Sequence, residues 1–259
     1  MPGDTAFAWI FDFTLKRITE ISLADVPQMG DEGAWRIINF SGSGEMRRVH
    51  TPAWTDDTGL IAYGGFPGGS LVNIEQDGRP GSPFGPPAPG GDTIPYIARL
   101  SAYQGGAVFQ SSRKLVARSY RNAGRIDIWD FSGREVATAD VPDPFEPIFV
   151  YSTRRNEYRF LRTAAGNRRG YLDIEATEDF IFALFSGQAD TPGEFASWGS
   201  TVHIFDWWGG FVGSFGLGEE RAVDIAVDPE ARTLWTSRFL PEPQVRVYSL
   251  EGVLPRPER

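Results

Sequence analysis

The sequence predicts an all-β protein of the β-propeller class, built from four-stranded antiparallel blades. Three observations carry that prediction. A strand pattern recurs along the chain, each later copy follows another strand-like run, and helical periodicity is scarce. The recurring pattern alternates apolar and polar residues and then meets a turn. It reads Ile126-Asp127-Ile128-Trp129-Asp130-Phe131-Ser132-Gly133, Val202-His203-Ile204-Phe205-Asp206-Trp207-Trp208-Gly209, Val245-Arg246-Val247-Tyr248-Ser249-Leu250-Glu251-Gly252 and Leu71-Val72-Asn73-Ile74-Glu75-Gln76-Asp77-Gly78. A fifth copy, Phe7 to Thr14, lacks the glycine. Alternation ending in a turn is the mark of a half-buried strand entering a hairpin.

The preceding strands are Leu60–Tyr63, Leu115–Ser119, Phe180–Ser186 and Leu234–Arg238. Before two of these lie further strands, Tyr171–Thr177 and Ala222–Asp228. Four strands per unit, repeating at roughly 40–50 residues, is the sequence form of a propeller blade. The turn glycines Gly78, Gly133, Gly209 and Gly252 are unevenly spaced, which predicts loop insertions. The Pro- and Gly-rich segment 78–96 is expected to be an extended surface loop, because proline cannot donate to a ladder. Its Pro-x-x-Pro spacings, such as Pro83–Pro86, suit a stiff loop better than a polyproline ligand. Segment 145–170 is expected to be an extra hairpin or a degenerate blade. Its two strand-like runs are Ile148–Tyr151 and Tyr158–Leu161.

Phe7–Ser22 reads as the third and fourth strands of a first blade, so segment 1–22 is expected to be partial. About five units are visible in residues 1–259, taken as a single propeller domain, and the expectation is a ring truncated at its N-terminus.

The run Arg169–Thr177, then Phe180–Gly187, then Val202–Asp206 resembles the bacterial TolB-like six-bladed β-propellers. The resemblance extends from about Phe7 to Leu254, is specific in that blade and diffuse elsewhere. It implies a six-bladed ring of a kind usually found in exported proteins of poorly defined function. It implies no catalytic motif.

Composition limits the function classes. The chain of 259 residues carries a net charge of −9, with a pI near 4.8. General affinity for nucleic acid or for acidic membrane is therefore disfavoured. No apolar run approaches the roughly 18–20 residues that span a membrane. Without cysteine there is neither a disulfide frame nor a thiolate site. Met-Pro-Gly-Asp is not a signal peptide. Compartment stays open, extracytoplasmic or periplasmic if an export segment lies upstream.

Serine-nucleophile elbows, phosphate loops, zinc-binding His-Glu-x-x-His and helical calcium loops are all missing from the sequence. Gly209-Gly210-Phe211-Val212-Gly213 reads as a hairpin turn, since no helix follows it. Aligning the units on their second strands brings His50, Gly105, Asp173 and Asp224 to matching positions near the start of the innermost strand. Glu175 and Glu45 lie close by in that alignment. Such side chains can ring a channel mouth and hold a divalent cation or act as acid and base. Against this, repeated polar residues at strand starts commonly satisfy donors of a neighbouring blade, and that reading weighs more.

A second cluster, Arg154, Arg155, Arg159, Arg162, Arg168 and Arg169, suits an anionic partner, or else pairs with acids on adjacent blades. Of Trp207 and Trp208, one ring is expected to be exposed. His203, in an alternating strand, reads as structural. The favoured function is a non-enzymatic scaffold that binds a protein, small ligand or glycan at its channel mouth and inserted loops. No cofactor is implied by it. The alternative is a metal-dependent hydrolase or lactonase-like enzyme, its cation held by Asp173, Asp224 and His50.

Overall fold

The computed structural model describes residues 7–12, 14–22, 36–40, 49–54, 59–66, 68–75, 78–190, 198–239 and 241–254. These form small antiparallel sheets and one helix, arranged in two compact units divided between Pro87 and Ala88.

In the first unit, β1 (Phe7–Asp12), β2 (Arg17–Ser22) and β3 (Arg36–Asn39) form a meander. β4 (Val49–Trp54), β5 (Leu60–Phe66) and β6 (Gly69–Ile74) form another. Ile18, Ile38, Phe40, Val49, Leu60, Phe66 and Val72 are buried together, with Trp9 and Phe11 packed against them. The Phe7–Ser22 segment is thus a hairpin that continues into a third strand, rather than the outer half of a blade. Residues 1–6 and 13 of the expected partial blade lie outside the described residues.

The proline-rich segment also differs from expectation. Leu71 and Phe84 exchange backbone hydrogen bonds of 3.0 and 2.9 Å, and the Gly81 N–H donates to the Asn73 carbonyl at 2.8 Å. Part of the segment therefore lies antiparallel along β6. The prolines are placed so that Gly81 and Phe84, which keep their N–H groups, face the strand.

The second unit holds helix α1 (Tyr96–Ala102) and four sheets. β7 (Ala107–Gln110), β8 (Leu115–Ser119), β9 (Ile126–Asp130) and β10 (Glu135–Thr138) follow one another in a four-stranded meander. β11 (Phe149–Ser152) and β12 (Glu157–Phe160) form a two-stranded hairpin. β13 (Tyr171–Ala176), β14 (Phe180–Phe185), β15 (Thr201–Asp206) and β16 (Phe211–Gly216) make the second four-stranded sheet. β17 (Asp224–Asp228), β18 (Thr233–Arg238) and β19 (Gln244–Ser249) make a three-stranded one.

One buried apolar cluster lies between β7–β10 and β13–β16, and a second between β13–β16 and β17–β19. The middle sheet is covered on both faces, which explains the unbroken apolar run Phe180–Phe185 in β14. First strands are neighbours: β13 runs close to β7, β8 and β17.

The recurring aspartate at the end of the repeat has a local cause. Asp12, Asp130 and Asp206 each turn their carboxylate onto backbone N–H groups of the following turn. Thr14 and Leu15 donate at 2.8 Å, Ser132 at 2.9 Å, and Trp208 and Gly210 at 2.8 and 2.9 Å. A short carboxylate satisfies the donors that a tight turn leaves free. Gly209 has a positive φ of 87°, as the turn requires. Trp207 is buried and donates from its indole to the Thr177 carbonyl at 3.1 Å, while Trp208 is exposed.

Candidate functional site

The neighbouring first strands β13 and β17 bring together three of the acids singled out in the sequence. Asp173 on β13 accepts the Ile225 N–H of β17 through Oδ2 at 2.8 Å. Asp224, one residue earlier on β17, accepts the Ser237 hydroxyl at 3.1 Å, directly across the ladder. Glu175 lies two residues beyond Asp173 and so on the same face of β13. Burial pushes the Asp173 carboxyl up to about 6, with the Ile225 N–H opposing and the Asp224 charge adding to the rise. Burial, then the charge of Asp173, pushes Glu175 up to about 7.

Asp173 thus ties the first strand of one sheet to the first strand of the next. His50 lies in the other unit, on β4, with its ring 6.0 Å from that of Tyr63. Glu45 is outside the described residues. Among the described residues no three His, Asp or Glu side chains group as ligands for a metal ion.

The arginine cluster divides. Arg168 makes a two-pronged contact with Asp143 at 2.8 and 3.0 Å, its guanidinium 4.1 Å from the Phe145 ring centroid. Arg162 and buried Arg169 converge on one oxygen of Asp190, at 2.5 and 3.1 Å. The Arg169 contact is close but too poorly aligned to be a hydrogen bond; its Nη1 instead donates to Asn122 at 2.9 Å. These three hold loops against sheets. Arg154, Arg155 and Arg159 are exposed on the β11–β12 hairpin. Arg155 meets only Glu157, at 4.0 Å, and among the described residues Arg154 and Arg159 form no ion pair.

Asn167 fastens the base of that hairpin. Its side chain accepts the Ile148 N–H at 2.7 Å and donates to the Ile148 and Leu161 carbonyls at 3.1 and 2.8 Å. Above it, the Phe149 and Phe160 rings meet across the hairpin and pack toward Ala102, Tyr103 and Tyr120.

Two buried polar pairs were not anticipated as a set. Asp127 accepts the Tyr120 hydroxyl at 2.6 Å, Arg125 Nε at 2.7 Å and the Thr138 hydroxyl at 3.2 Å. His203, at the matching position of its repeat, is hydrogen-bonded through Nδ1 to the Tyr171 hydroxyl at 3.0 Å. Burial holds the His203 imidazole down at about 4, so it is neutral where it shares this hydrogen bond with the Tyr171 hydroxyl. The signal was present: each is the lone polar residue between two apolar ones in a repeated strand. Beside the Asp127 group opens a cleft of about 390 Å³ lined by Arg125, Thr138, Val141, Phe145 and Glu146.

No protein-family model matches the chain, and no curated protein matches it. Its structure is similar to that of a dihydro-heme d1 dehydrogenase, NirN, in complex with DHE. The TM-score is 0.48 and the identity 11%, over 96% of this chain and 43% of that one. It is also similar to a chain of a mitotic checkpoint complex, with a TM-score of 0.49 and 11% identity, over 95% of this chain and 60% of that one. The chain therefore spans less than two thirds of either.

Proposed function

We propose that this chain is a non-enzymatic binding scaffold of the β-propeller type, a TolB-like ring whose sheets are its blades. In the second unit β7–β10, β13–β16 and β17–β19 come in chain order, with the β11–β12 hairpin inserted after the first, and their first strands are adjacent, as those of successive blades are. Its partner is a protein or a small ligand such as a glycan. One observation carries the reading. Asp173 and Asp224 on the first strands each serve an internal hydrogen bond, whereas Arg154, Arg155 and Arg159 are left exposed beside apolar side chains. Catalysis needs a group free to exchange protons or to ligate; binding needs an exposed surface with geometry.

Elemental analysis and chelation test this against the hydrolase alternative. The protein is expected to carry no stoichiometric divalent metal and to melt alike with and without chelator. It should not turn over lactones or phosphoesters. Chelator-sensitive hydrolysis that disappears in Asp173→Asn and Asp224→Asn would overturn the proposal.

A further inference from the structure

We infer that the groove between α1 and β12 is a docking site for an extended acidic peptide of a partner protein, one that carries an apolar anchor. This rests on the scaffold reading and gives it a partner class. The groove is lined by Ile97 of α1 and by Arg155, Glu157, Tyr158, Arg159 and Phe160 along the hairpin. Successive strand residues point to opposite faces, so a groove touching Tyr158, Arg159 and Phe160 in turn follows the edge of β12. Among the described residues that strand pairs with β11 alone. A free edge offers backbone donors and acceptors to an added extended segment.

The side chains specify what that segment carries. Arg155 and Arg159 are exposed in the groove and Arg154 is exposed beside it in the turn; Arg155 meets Glu157 at 4.0 Å, and among the described residues Arg154 and Arg159 form no ion pair. In a chain of net charge −9 this is a local reversal of sign. Guanidinium groups bind carboxylates bidentately. Ile97 is 70% exposed and Tyr158 42% exposed, against which an apolar side chain can be buried. The space is about 170 Å³, close to the roughly 150 Å³ that accommodates a benzene ring. One aromatic or leucine anchor flanked by carboxylates fits both the volume and the charge. Polyanionic surfaces fit less well, because the acidic remainder of the protein repels them over distances of about a Debye length.

The experiment is fluorescence anisotropy on the full chain. The probe is a fluorescein-labelled peptide Glu-Asp-Glu-Phe-Glu-Asp-Glu, with the same peptide bearing a central Ser as control. Phosphatidylserine vesicles and single-stranded RNA are run in parallel. The Phe peptide is expected to bind, more weakly as salt rises, and the Ser peptide to bind at least about tenfold more weakly. Arg155→Glu with Arg159→Glu should abolish binding while leaving the melting temperature unchanged. Glu157→Gln, which removes the one carboxylate in the groove, should tighten it.

Undiminished binding by the double variant, equal binding of the two peptides, or tighter binding of vesicles or RNA would overturn the inference. If no peptide binds and melting is indifferent to chelator, the groove assignment falls and the scaffold reading stands. Chelator-sensitive hydrolysis removes the scaffold reading whatever the peptide does.

Discussion

Replacing Asp173 by Asn should stabilise the protein at neutral pH and leave it nearly unchanged in acid. The carboxyl titrates near 6 in the folded protein against 3.8 for the free group. The folded state therefore binds its proton more tightly than the unfolded chain. Stability from this source is fully present below about pH 4, is lost as the pH rises toward 6, and stays lost above.

At about 1.4 kcal/mol per pH unit the charging cost is at most about 3 kcal/mol. Asp173 retains some contact with solvent, which screens the charge and brings the figure to about 1–2 kcal/mol. Asn keeps an oxygen for the Ile225 N–H and never ionises, so it keeps the bond and avoids the cost. The assay is urea unfolding of both proteins at intervals between pH 4 and 8. The variant's advantage should grow from near zero to about 1–2 kcal/mol across that range. A variant destabilised equally at every pH would refute the reasoning. It would mean that the ionised carboxylate is what the sheets require.

His203 gives a slope of opposite sign. Its folded value near 4 lies below the ordinary 6.5, so stability is present above pH 6.5 and is lost as the pH falls toward 4, by about 2–3 kcal/mol. His203→Phe should remove that acid sensitivity and impose instead a pH-independent loss of about 1–2 kcal/mol, because the buried Tyr171 hydroxyl loses its hydrogen-bond partner; urea unfolding across the same pH range reads both. Asn167→Ala deletes three hydrogen bonds at the base of the β11–β12 hairpin and should cost about 2 kcal/mol locally, since three backbone groups lose their partner and water reaches those of exposed Ile148 and Leu161 only in part. Hydrogen exchange should show the loss of protection confined to Phe149–Phe160; uniform loss across the unit would contradict a local clamp.

Much of the strand pattern was legible because two signals coincided. Alternation marked β6, β9, β15 and β19, and an aspartate with a job in the next turn closed β9 and β15. The expected second strands match β5, β8, β14 and β18. β3 was not legible: Arg36-Ile37-Ile38-Asn39 is too short for a period to show. Missing it turned a three-stranded meander into an apparent half blade. Helix α1 escaped for the same reason, being seven residues long with only Ala98 and Ala102 buried. The arginine cluster was visible as composition, but its division was not. The partners that occupy Arg162, Arg168 and Arg169 are Asp143 and Asp190, which the chain brings near only through the packing of its loops. Position in sequence cannot separate an exposed arginine from one that fastens a loop.

The inner-strand position makes the same point from the opposite side. Gly105, just before β7, and Asp173, inside β13, match in the alignment and answer to different neighbours. A Cβ on Gly105 would come within 1.8 Å of the Ser119 carbonyl, so no side chain fits there. At Asp173 there is room, and the carboxylate reaches across to the adjacent sheet. At Gly105 and Asp173 the matched position thus answers to the local packing of neighbouring strands. Chemistry at that position would compete with the hydrogen bond that couples the sheets. The recognition proposed at the hairpin has no such conflict, because exposed Arg155 meets only its near neighbour Glu157 and Arg159 forms no ion pair among the described residues. Substitutions on the inner strand should therefore move stability and leave binding alone, and substitutions in the groove should do the reverse. That separation follows from the packing: the adjacent sheets bury their polar links, and the β11–β12 hairpin leaves its arginines exposed.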